Sequence, residues 1–330
     1  MKIYRIYTLL IVTIVVLFGL SLVHGSVSIP WRDTMAALFG GETVKESWRF
    51  IIMESRLPQA FTALLSGGAL AVSGLLLQTA FRNPLAAPDI FGVTSGASLA
   101  VALLTLAPGL VFTGLLGYVS SIAAAFVGAM SVTALIWMFG RLVRSNIVLI
   151  IIGIMIGYVA SSAITLLNFF ATEEGVKNFA VWGMGNFSNV SMAQMPIFAG
   201  LTILATGGAL LLIKPLNALL MGESYAENLG VNVLCVRNIL LVVTGLLTAV
   251  VTAFCGPIAF LALAVPHIAR LLLCTTNHRQ LLPITILAGS AIALLCNVMT
   301  TLPGEAGILP LNAVTPIVGA PVIIYVIIKH

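Results

Sequence analysis

Long apolar runs separated by short polar breaks dominate the chain. The runs are continuous rather than alternating, which indicates membrane-spanning helices and not β-strands. The pattern predicts an all-α polytopic membrane protein in which residues 1–330 form a single transmembrane domain. We predict ten spans, with boundaries good to a few residues. They cover residues 6–23, 57–80, 90–107, 117–139, 147–169, 193–213, 238–255, 257–274, 281–301 and 311–328.

The most informative polar break is the stretch of residues 78–98, between the second and third spans. It holds two charges, Arg82 and Asp89, together with an Asn83-Pro84 turn signal. Unpaired backbone groups cannot face lipid. We therefore expect this stretch either to turn in water or to line a path enclosed by protein.

Composition supports the membrane assignment. Of the 330 residues, 60% are hydrophobic and only 8% are charged, which excludes a soluble domain. The net charge of +5 does not suggest nucleic acid, because a membrane protein gathers Lys and Arg on its cytoplasmic side. The four cysteines form no C-x-x-C pair, so we expect neither a disulfide nor a zinc site, and no cofactor.

The distribution of charge predicts the orientation. If both termini are cytoplasmic, the short cytoplasmic segments receive ten of the fifteen basic residues, as the positive-inside rule requires. These ten are Lys2, Arg5, Arg82, Arg141, Arg144, Lys214, Arg237, Arg270, Arg279 and Lys329. Seven of the ten acidic residues fall on the outer side: Asp33, Glu42, Glu46, Glu54, Glu173, Glu174 and Glu305.

The fifth span carries a stripe of small or polar residues at four-residue spacing. Gly153, Gly157, Ser161 and Thr165 share one helical face. The stripe is typical of close helix packing, and equally of a face that lines a wide translocation path. Both interpretations hold if the span packs at one depth and lines the path at another. Asn168 extends the same face towards the outer mouth.

The cytoplasmic loop 214–237 predicts two short helices. Pro215 suits a first helical position, Gly222 suits a stop, and Ser224 to Glu227 fits a capping box before a second stop at Gly230. The first helix has a leucine stripe, which we expect to be exposed, at Leu216, Leu219 and Leu220. From the residues alone, the loop is either a docking element for another protein or a hairpin that rests on lipid.

Two proline-containing segments mark the last third of the chain. Pro257 follows Gly256 and is predicted to begin a new helix, in which Pro266 introduces a kink. Further on, three prolines between residues 309 and 321 predict an irregular segment before the final helix. Irregular backbone at membrane depth must be covered by protein.

Several chemistries are absent from the sequence. No Asp or Glu lies within a predicted span, which counts against a proton-driven secondary transporter and against acid–base catalysis inside the bilayer. No G-x-x-x-x-G-K-[ST] loop is present, so the chain does not bind ATP in that way. We therefore expect a transport protein, not an enzyme, whose energy comes from another chain.

Ordered motifs from about residue 50 to 330 carry a family resemblance. They are Arg56-Leu57-Pro58, Asn83-Pro84-Leu85-Ala86, Trp182-Gly183-Met184-Gly185, Leu229-Gly230-Val231, Gly256-Pro257-Ile258, Pro266-His267 with Arg270, and Gly319-Ala320-Pro321. In these motifs the chain resembles the FecCD-type permeases of bacterial ABC importers. Those permeases take up iron–siderophore complexes, haem and vitamin B12.

The resemblance implies the following assembly. Two copies of the chain form a homodimer in the bacterial inner membrane, with the substrate path on the two-fold axis. Two ATP-binding cassette subunits bind the cytoplasmic face, and a periplasmic or lipid-anchored substrate-binding protein docks outside. The resemblance also favours the path-lining interpretation of the fifth span and the docking interpretation of loop 214–237.

The resemblance assigns roles to particular residues. The path is lined by Gly157, Ser161, Thr165 and Asn168, and the cytoplasmic gate contains Asn83, Leu85, Ser145 and Asn146. Coupling to the ATPase involves Leu216, Leu219, Leu220, Gly222, Glu223, Ala226, Leu229 and Gly230. Docking of the binding protein rests on Arg56 together with Arg49.

The chain departs from the family pattern at the outer side. Gln59 stands where the family often has a second arginine, and Asn297 stands where it often has an aspartate. The resemblance therefore implies a less basic docking surface than usual.

The leading hypothesis is an importer permease for a metal chelate. The alternatives are a secondary transporter or channel that works without an ATPase, and an intramembrane enzyme, for which no nucleophile or metal constellation is found.

Overall fold

A computed structural model describes residues 2–41, 45–107, 114–143, 145–302, 304 and 307–329. Three residues used above for the charge distribution, Glu42, Arg144 and Glu305, lie outside these ranges.

The described secondary structure is helical, and its elements run in the following order. They are α1 (Lys2–Val23), α2 (Trp31–Phe39), α3 (Glu46–Phe50), a π-helical segment (Ile51–Arg56), α4 (Leu57–Ala80), α5 (Val93–Thr105), α6 (Gly114–Leu142), α7 (Asn146–Phe170), α8 (Glu173–Gly183), a 3-10 turn (Phe187–Asn189), α9 (Met195–Leu211), α10 (Ile213–Met221), α11 (Glu223–Asn228), α12 (Val233–Cys255), α13 (Leu261–Leu273), α14 (His278–Thr300) and α15 (Leu311–Lys329).

Each predicted span overlaps one of the long or apolar helices. By length and composition, six of the described helices could cross a membrane: α1, the continuous stretch Glu46–Ala80, α6, α7, α12 and α14. The pair α9 and α10, bent by 47°, forms a seventh candidate. Three shorter apolar helices, α5, α13 and the first part of α15, fall on the remaining predicted spans.

Helix α4 lies at the centre of the bundle, because small residues let its neighbours approach its backbone. At Gly67 an added Cβ would overlap the carbonyl oxygen of Gly289 on α14. At Gly74 it would overlap the carbonyl oxygen of Ala262 on α13. Side chains between these positions, such as Ala71 and Val72, are fully buried. The sequence therefore uses glycine to pack helices closely, as membrane proteins commonly do.

The same device joins α5 to its neighbours. Gly96 on α5 faces Gly128 on α6 so closely that a Cβ on either residue would overlap the other helix. Gly92, the left-handed residue before α5, lies against Gly153 of α7. The first turn of α5, which follows the polar break, thus packs between α6 and α7.

The prediction that Pro257 begins a helix is wrong. After α12, residues 256–260 are irregular, and α13 begins only at Leu261. The reason is a tertiary contact: Asn312 accepts a hydrogen bond from the backbone N–H of Ala259 at 3.1 Å. Its amide nitrogen donates to the carbonyl oxygens of Pro257, at 2.7 Å, and Gly183, at 3.1 Å. These bonds satisfy the extended backbone that a helix would otherwise have satisfied.

The irregular entry to the last helix is shorter than predicted. Residues 307–310 are irregular, but α15 then runs from Leu311 through Pro316 and Pro321 without a break. Proline is tolerated inside membrane helices when neighbouring groups compensate for the lost hydrogen bonds. The prolines of this segment therefore do not end the helix.

Candidate functional site

The stripe on α7 divides into a packed half and an exposed half. Gly153 is buried, and a Cβ there would lie 2.7 Å from the Cα of Phe91. Further along, Ser161 and Thr165 are exposed, and Asn168 is half-buried. Gly157, between the two halves, is partly exposed and faces Ser95. Close packing and an accessible surface thus occur at different depths of one helix.

The part of the polar break that connects α4 to α5, residues 81–92, is a compact turn. Asn83 accepts a hydrogen bond from the backbone N–H of Leu85 at 2.9 Å, an arrangement that stabilises a turn. His267 on α13 donates from Nε2 to the carbonyl oxygen of Pro84 at 2.8 Å. The side chain of Leu85 is 44% exposed. Asn83 therefore shapes the turn, and Leu85 is the apolar side chain that the turn presents.

Asp89 is the acidic group of this turn. The carboxyl is partly buried, and its burial raises the pKa of Asp89 to about 6, an effect that the hydrogen bond with Thr94 opposes. Burial disfavours the charged carboxylate because it removes water. A substantial fraction of Asp89 is therefore protonated in mildly acidic solution.

The two predicted gate residues at the start of α7 differ in their surroundings. Ser145 precedes α7 with an extended backbone and makes no capping hydrogen bond through its side chain. Asn146 accepts a hydrogen bond from Nη1 of Arg237 at 3.1 Å. Nη2 of Arg237 donates to the carbonyl oxygen of Gly140 at 3.1 Å. Arg237 thus ties the start of α12 to the connection between α6 and α7.

The coupling segment, residues 213–230, contains the two short helices that the sequence predicts, α10 and α11. The leucine stripe is not uniformly exposed: Leu216 and Leu219 are buried, with 0% and 4% of their surface accessible. Leu220 and Leu229 are 42% and 60% exposed. The expectation of exposure is therefore wrong for Leu216 and Leu219, which pack into the bundle.

The termini of the short helices also differ from the prediction. Gly222 ends α10 with a positive φ of 126°, as expected of a stop. The capping box at Ser224 does not form, because α11 begins earlier, at Glu223, with Gly222 before it. Ala226 is buried and Glu223 is exposed. The predicted coupling residues thus separate into anchors and surface groups.

Polar contacts join the coupling segment to the central helices. Arg82, at the end of α4, donates from Nη2 to the carbonyl oxygen of Leu219 at 2.9 Å. Asn217 on α10 accepts from the backbone N–H of His278 at 2.8 Å. Nε2 of His278 lies 2.9 Å from the hydroxyl of Thr79 on α4. Sequence patterns did not reveal these contacts because the partners are 61 to 199 positions apart along the chain.

Arg56 does not lie on the outer surface. Only 5% of it is accessible, and its guanidinium donates to the carbonyl oxygens of Leu22, at 2.9 Å, Val23, at 2.7 Å, and Val27. The prediction that Arg56 receives a docking protein is therefore wrong, because its charge is used inside the chain. Arg49, in α3 two residues before the π-helical segment, is exposed.

Comparison with known proteins identifies the family. The FecCD transport family matches residues 12–329. The chain belongs to this family. The vitamin B12 import system permease protein BtuC of Escherichia coli is 35% identical to it over 295 residues, which is 88% of this chain and 87% of the relative. BtuC of Shigella sonnei is 35% identical over 284 residues, which is 84% of this chain and 83% of the relative.

A solved structure has the same fold. It is described as an inward-facing conformation of a metal-chelate type ABC transporter, and it matches with a TM-score of 0.85 and 28% identity over 99% of both chains. This FecCD protein is therefore a multi-pass inner-membrane protein and a permease subunit of an ABC importer. Permeases of this class work with an ATPase and a substrate-binding partner.

The side chains of Gln59 and Asn297 contact each other inside this FecCD permease. Nε2 of Gln59 donates to Oδ1 of Asn297 at 2.8 Å, and Nδ2 of Asn297 donates to the hydroxyl of Ser21 at 3.4 Å. These contacts join α4, α14 and α1. Neither amide is an exposed docking group.

Within the described residues, no cluster of three or more His, Cys, Asp or Glu could hold a metal ion.

Proposed function

We propose that two copies of this chain form the membrane path of an ATP-driven importer for a metal chelate, with iron–siderophore, haem and cobalamin as the candidate substrates. The observation that carries the proposal is similarity along the whole chain. The chain is 35% identical to a vitamin B12 permease over 88% of its length, and it shares a fold with a metal-chelate transporter. ATP is hydrolysed by two copies of a separate subunit on the cytoplasmic face.

The exposed half of the α7 stripe supports a path for a bulky, weakly polar substrate. Ser161, Thr165 and Asn168 offer hydroxyl and amide groups, and α7 contains no charged residue. A large chelate can pass along such a surface without forming a tight ion pair. In the proposed homodimer, α7 of each copy lines the path, and Leu85 lies at its cytoplasmic end.

The proposed topology has ten spans and two cytoplasmic termini, and it rests on the distribution of Lys and Arg. It assigns the turn at residues 81–92 and the coupling segment to the cytoplasmic face. The contact between Arg82 and the carbonyl oxygen of Leu219 supports this common side, because it joins the two segments directly.

We place the surface that binds the ATPase at the exposed side of the coupling segment. Four apolar or aromatic side chains there are more than a third exposed: Leu220, Met221, Tyr225 and Leu229. Buried Leu216 and Leu219 fix this surface to the bundle, and Gly222 and Gly230 adopt the positive φ angles that turn the chain. Glu223 adds a charged group at the rim.

Reconstitution tests the function. The chain is placed in proteoliposomes with a candidate ATPase and a candidate binding protein from the same organism, and uptake of each labelled chelate is measured with ATP inside the vesicles. We expect ATP-dependent uptake of one chelate class, and no uptake with an ATPase that cannot hydrolyse ATP. Uptake by the chain alone, driven by an ion gradient, would show instead a secondary transporter or channel.

A matched pair of variants tests the coupling surface. Leu220→Ser with Leu229→Ser alters only exposed positions, so we expect normal insertion and loss of co-purification with the ATPase. Leu216→Ala opens a cavity in the core and should lower thermal stability instead, since burying a leucine typically contributes about 2–5 kcal/mol relative to alanine. If the double serine variant retains the ATPase, the coupling segment does not carry the contact.

The exposed Arg49 is the remaining basic candidate for docking of the binding protein. Arg49→Glu reverses its charge and should weaken that association, measured by surface-immobilised binding at low ionic strength. The effect should shrink at higher salt because exposed charges are screened. An unchanged affinity would remove Arg49 from the docking surface.

A further inference from the structure

A groove of about 610 Å³ runs between α6 and α12, at the end where α6 finishes and α12 begins. Polar groups from both helices line its mouth: Trp137, Arg141, Asn232 and Asn238. Apolar side chains, including Ile239, Val242 and Val243, line the part that lies deeper along α12. The groove therefore has a mixed mouth, which Leu234 and Cys235 also line, and an apolar part further along α12.

The mouth of the groove presents a positively charged surface. The guanidinium of Arg141 stacks over the ring of Trp137, 3.9 Å from its centroid, and Arg141 is exposed. Stacking on an indole holds a guanidinium flat while its N–H groups stay available. Among the described residues that line the groove, none is acidic. The mouth is thus complementary to an anion.

Asn238 provides an independent sign of a ligand. Its Oδ1 is buried and has no hydrogen-bond partner among the described residues. A buried amide oxygen without a partner is costly, and native structures usually satisfy it. The oxygen itself has almost no accessible surface, so a hydroxyl donor in the groove would satisfy it only after the side chain of Asn238 turns into the groove.

The order of groups along α12 matches the order of groups in a phospholipid. Asn232 precedes the helix, Asn238 lies in its second turn, and Val242 lies about 15 Å from Asn232 at 1.5 Å per residue. Neighbouring Leu234 and Ile239 are exposed on the same helix. A headgroup at the mouth would place an acyl chain along the apolar part.

We propose that this groove binds an anionic phospholipid with a hydroxylated headgroup, of the phosphatidylglycerol type. Its phosphate pairs with Arg141, and one acyl chain lies against Ile239, Val242 and Val243. A headgroup hydroxyl donates to Oδ1 of Asn238 once that side chain turns into the groove. With the topology proposed above, the lipid comes from the cytoplasmic leaflet. Basic pockets between spanning helices on that side commonly bind anionic headgroups.

The proposal distinguishes between lipid classes. A phosphatidylcholine headgroup carries a quaternary ammonium beside its phosphate, so it offers no hydroxyl donor to Asn238 and places a positive charge near Arg141. A basic residue near the membrane surface favours anionic lipid by about 1 kcal/mol, equivalent to a preference of about fivefold. The groove should therefore select phosphatidylglycerol over phosphatidylcholine.

Fluorescence quenching reports occupancy directly because Trp137 lies in the groove. The chain has four tryptophans, so Trp31, Trp48 and Trp182 are replaced by Phe in the full-length chain. The protein is placed in bilayers with increasing fractions of dibrominated phosphatidylglycerol or dibrominated phosphatidylcholine. We expect Trp137 to be quenched at about fivefold lower fractions of the anionic lipid.

Matched variants identify the headgroup contact. Arg141→Ala should bring the ratio of the two lipid fractions needed for quenching close to one, while Trp137 stays in place. Arg141→Lys should restore part of the preference for the anionic lipid. Arg279→Ala, which removes another exposed arginine at the proposed cytoplasmic face, should leave the preference unchanged. A preference that survives Arg141→Ala, or equal quenching by both lipids, overturns the proposal.

Native mass spectrometry provides a second measurement on the chain with all four tryptophans. Phosphatidylglycerol should remain bound to the purified protein, and Arg141→Ala should lose it. If no lipid is retained and Trp137 is quenched by neither brominated lipid, the lipid proposal is wrong.

Discussion

Arg56 stabilises the carboxyl end of α1 from inside the protein. Its guanidinium donates to the carbonyl oxygens of Leu22 and Val23, which have no partner within the helix. Each charge-assisted hydrogen bond contributes about 1.5–3 kcal/mol. We expect Arg56→Ala to lower the free energy of unfolding by about 3 kcal/mol, measured as a lower midpoint of thermal unfolding in detergent.

Arg49 supplies the control for this prediction because it is an exposed arginine on the same continuous helical stretch. Arg49→Ala should leave the midpoint unchanged. Arg56→Lys keeps the charge but loses the planar guanidinium and its several N–H donors, so it should recover only part of the stability. Equal midpoints for Arg56→Ala and Arg49→Ala would show that the buried contacts contribute nothing.

Asp89 predicts a pH dependence of stability. Its pKa of about 6 in the folded protein exceeds the ordinary value of 3.8, so the folded state binds more protons than the unfolded state between these values. Stability therefore falls as the pH rises through this window, and the penalty is fully present above pH 6. Asp89→Asn should abolish this component, which is measured as the thermal midpoint from pH 4.5 to 7.5 in both proteins.

Single residues were predictable where their role is local. The spacing on α7 places Gly153, Ser161 and Thr165 on one face, since a helix repeats every 3.6 residues, but it does not show which of them pack and which are exposed. The role of Arg56 was not predictable, because its partners lie 29 to 34 residues away and are backbone atoms. A motif that contains arginine shows where a charge lies in the sequence, but it does not show which atoms the guanidinium contacts in the fold.

At the level of elements, Arg82 links the coupling segment to the turn that follows α4. Its backbone has a positive φ of 46°, and its side chain holds the carbonyl oxygen of Leu219 at the end of α10. A second contact runs from Asn217 through His278 to Thr79 on α4. We infer from these contacts that a displacement of α10 would be transmitted to both sides of the end of α4.

We therefore expect Arg82→Ala to uncouple ATP hydrolysis from transport. The variant should assemble with the ATPase, because the exposed Leu220 and Leu229 are unchanged, and hydrolyse ATP at the ordinary basal rate. Uptake, and stimulation of hydrolysis by the loaded binding protein, should fall severalfold. Both are measured in proteoliposomes containing the complete complex.

Arg279→Ala is the matched control, since Arg279 is an exposed arginine at the start of α14 beside the coupling segment. It should keep both hydrolysis and uptake. If Arg82→Ala transports as well as Arg279→Ala does, the contact with Leu219 only stabilises the fold. Loss of the ATPase from the Arg82→Ala complex would instead show that Arg82 orients the docking surface.

Elements were predictable as far as apolar runs determine them. Every predicted span overlaps a helix, because a continuous run of apolar residues in lipid must satisfy its own backbone. The starts of α13 and α11 were not predictable, because Asn312 holds the backbone before α13 and Gly222 displaces the capping box before α11. Tertiary contacts override local signals at both positions.

On the scale of the whole molecule, burial differs sharply between two long apolar helices. Within its most apolar window, the stretch Glu46–Ala80 is 83% buried, whereas α7 is only 17% buried. Hydropathy does not distinguish them, since both are apolar enough to span a membrane. The central position of α4 follows from glycines that admit its neighbours. The proposal that a second copy faces the open side of α7 rests on family resemblance and not on residue patterns.

The homodimer proposal predicts that the two copies of Leu85 approach each other at the cytoplasmic end of the path. Cys235 and Cys274 are exposed and are replaced by Ser, whereas Cys255 and Cys296 are buried and remain. With Leu85→Cys in this background, we expect a disulfide-linked dimer in membranes. Its yield should change when the complex binds ATP, because closure of the ATPase moves α10 and, through Arg82, the turn.

Leu204→Cys tests for random collision, since Leu204 is 73% exposed on α9, away from α7 and the turn. It should give no cross-link in any state. A cross-link at position 85 that forms equally with and without ATP would show that Asn83 and Leu85 only stabilise the turn and do not form a gate. Absence of the cross-link in all states would remove Leu85 from the dimer axis. The gate and the dimer are thus tested separately, because the first depends on a change in yield and the second on proximity alone.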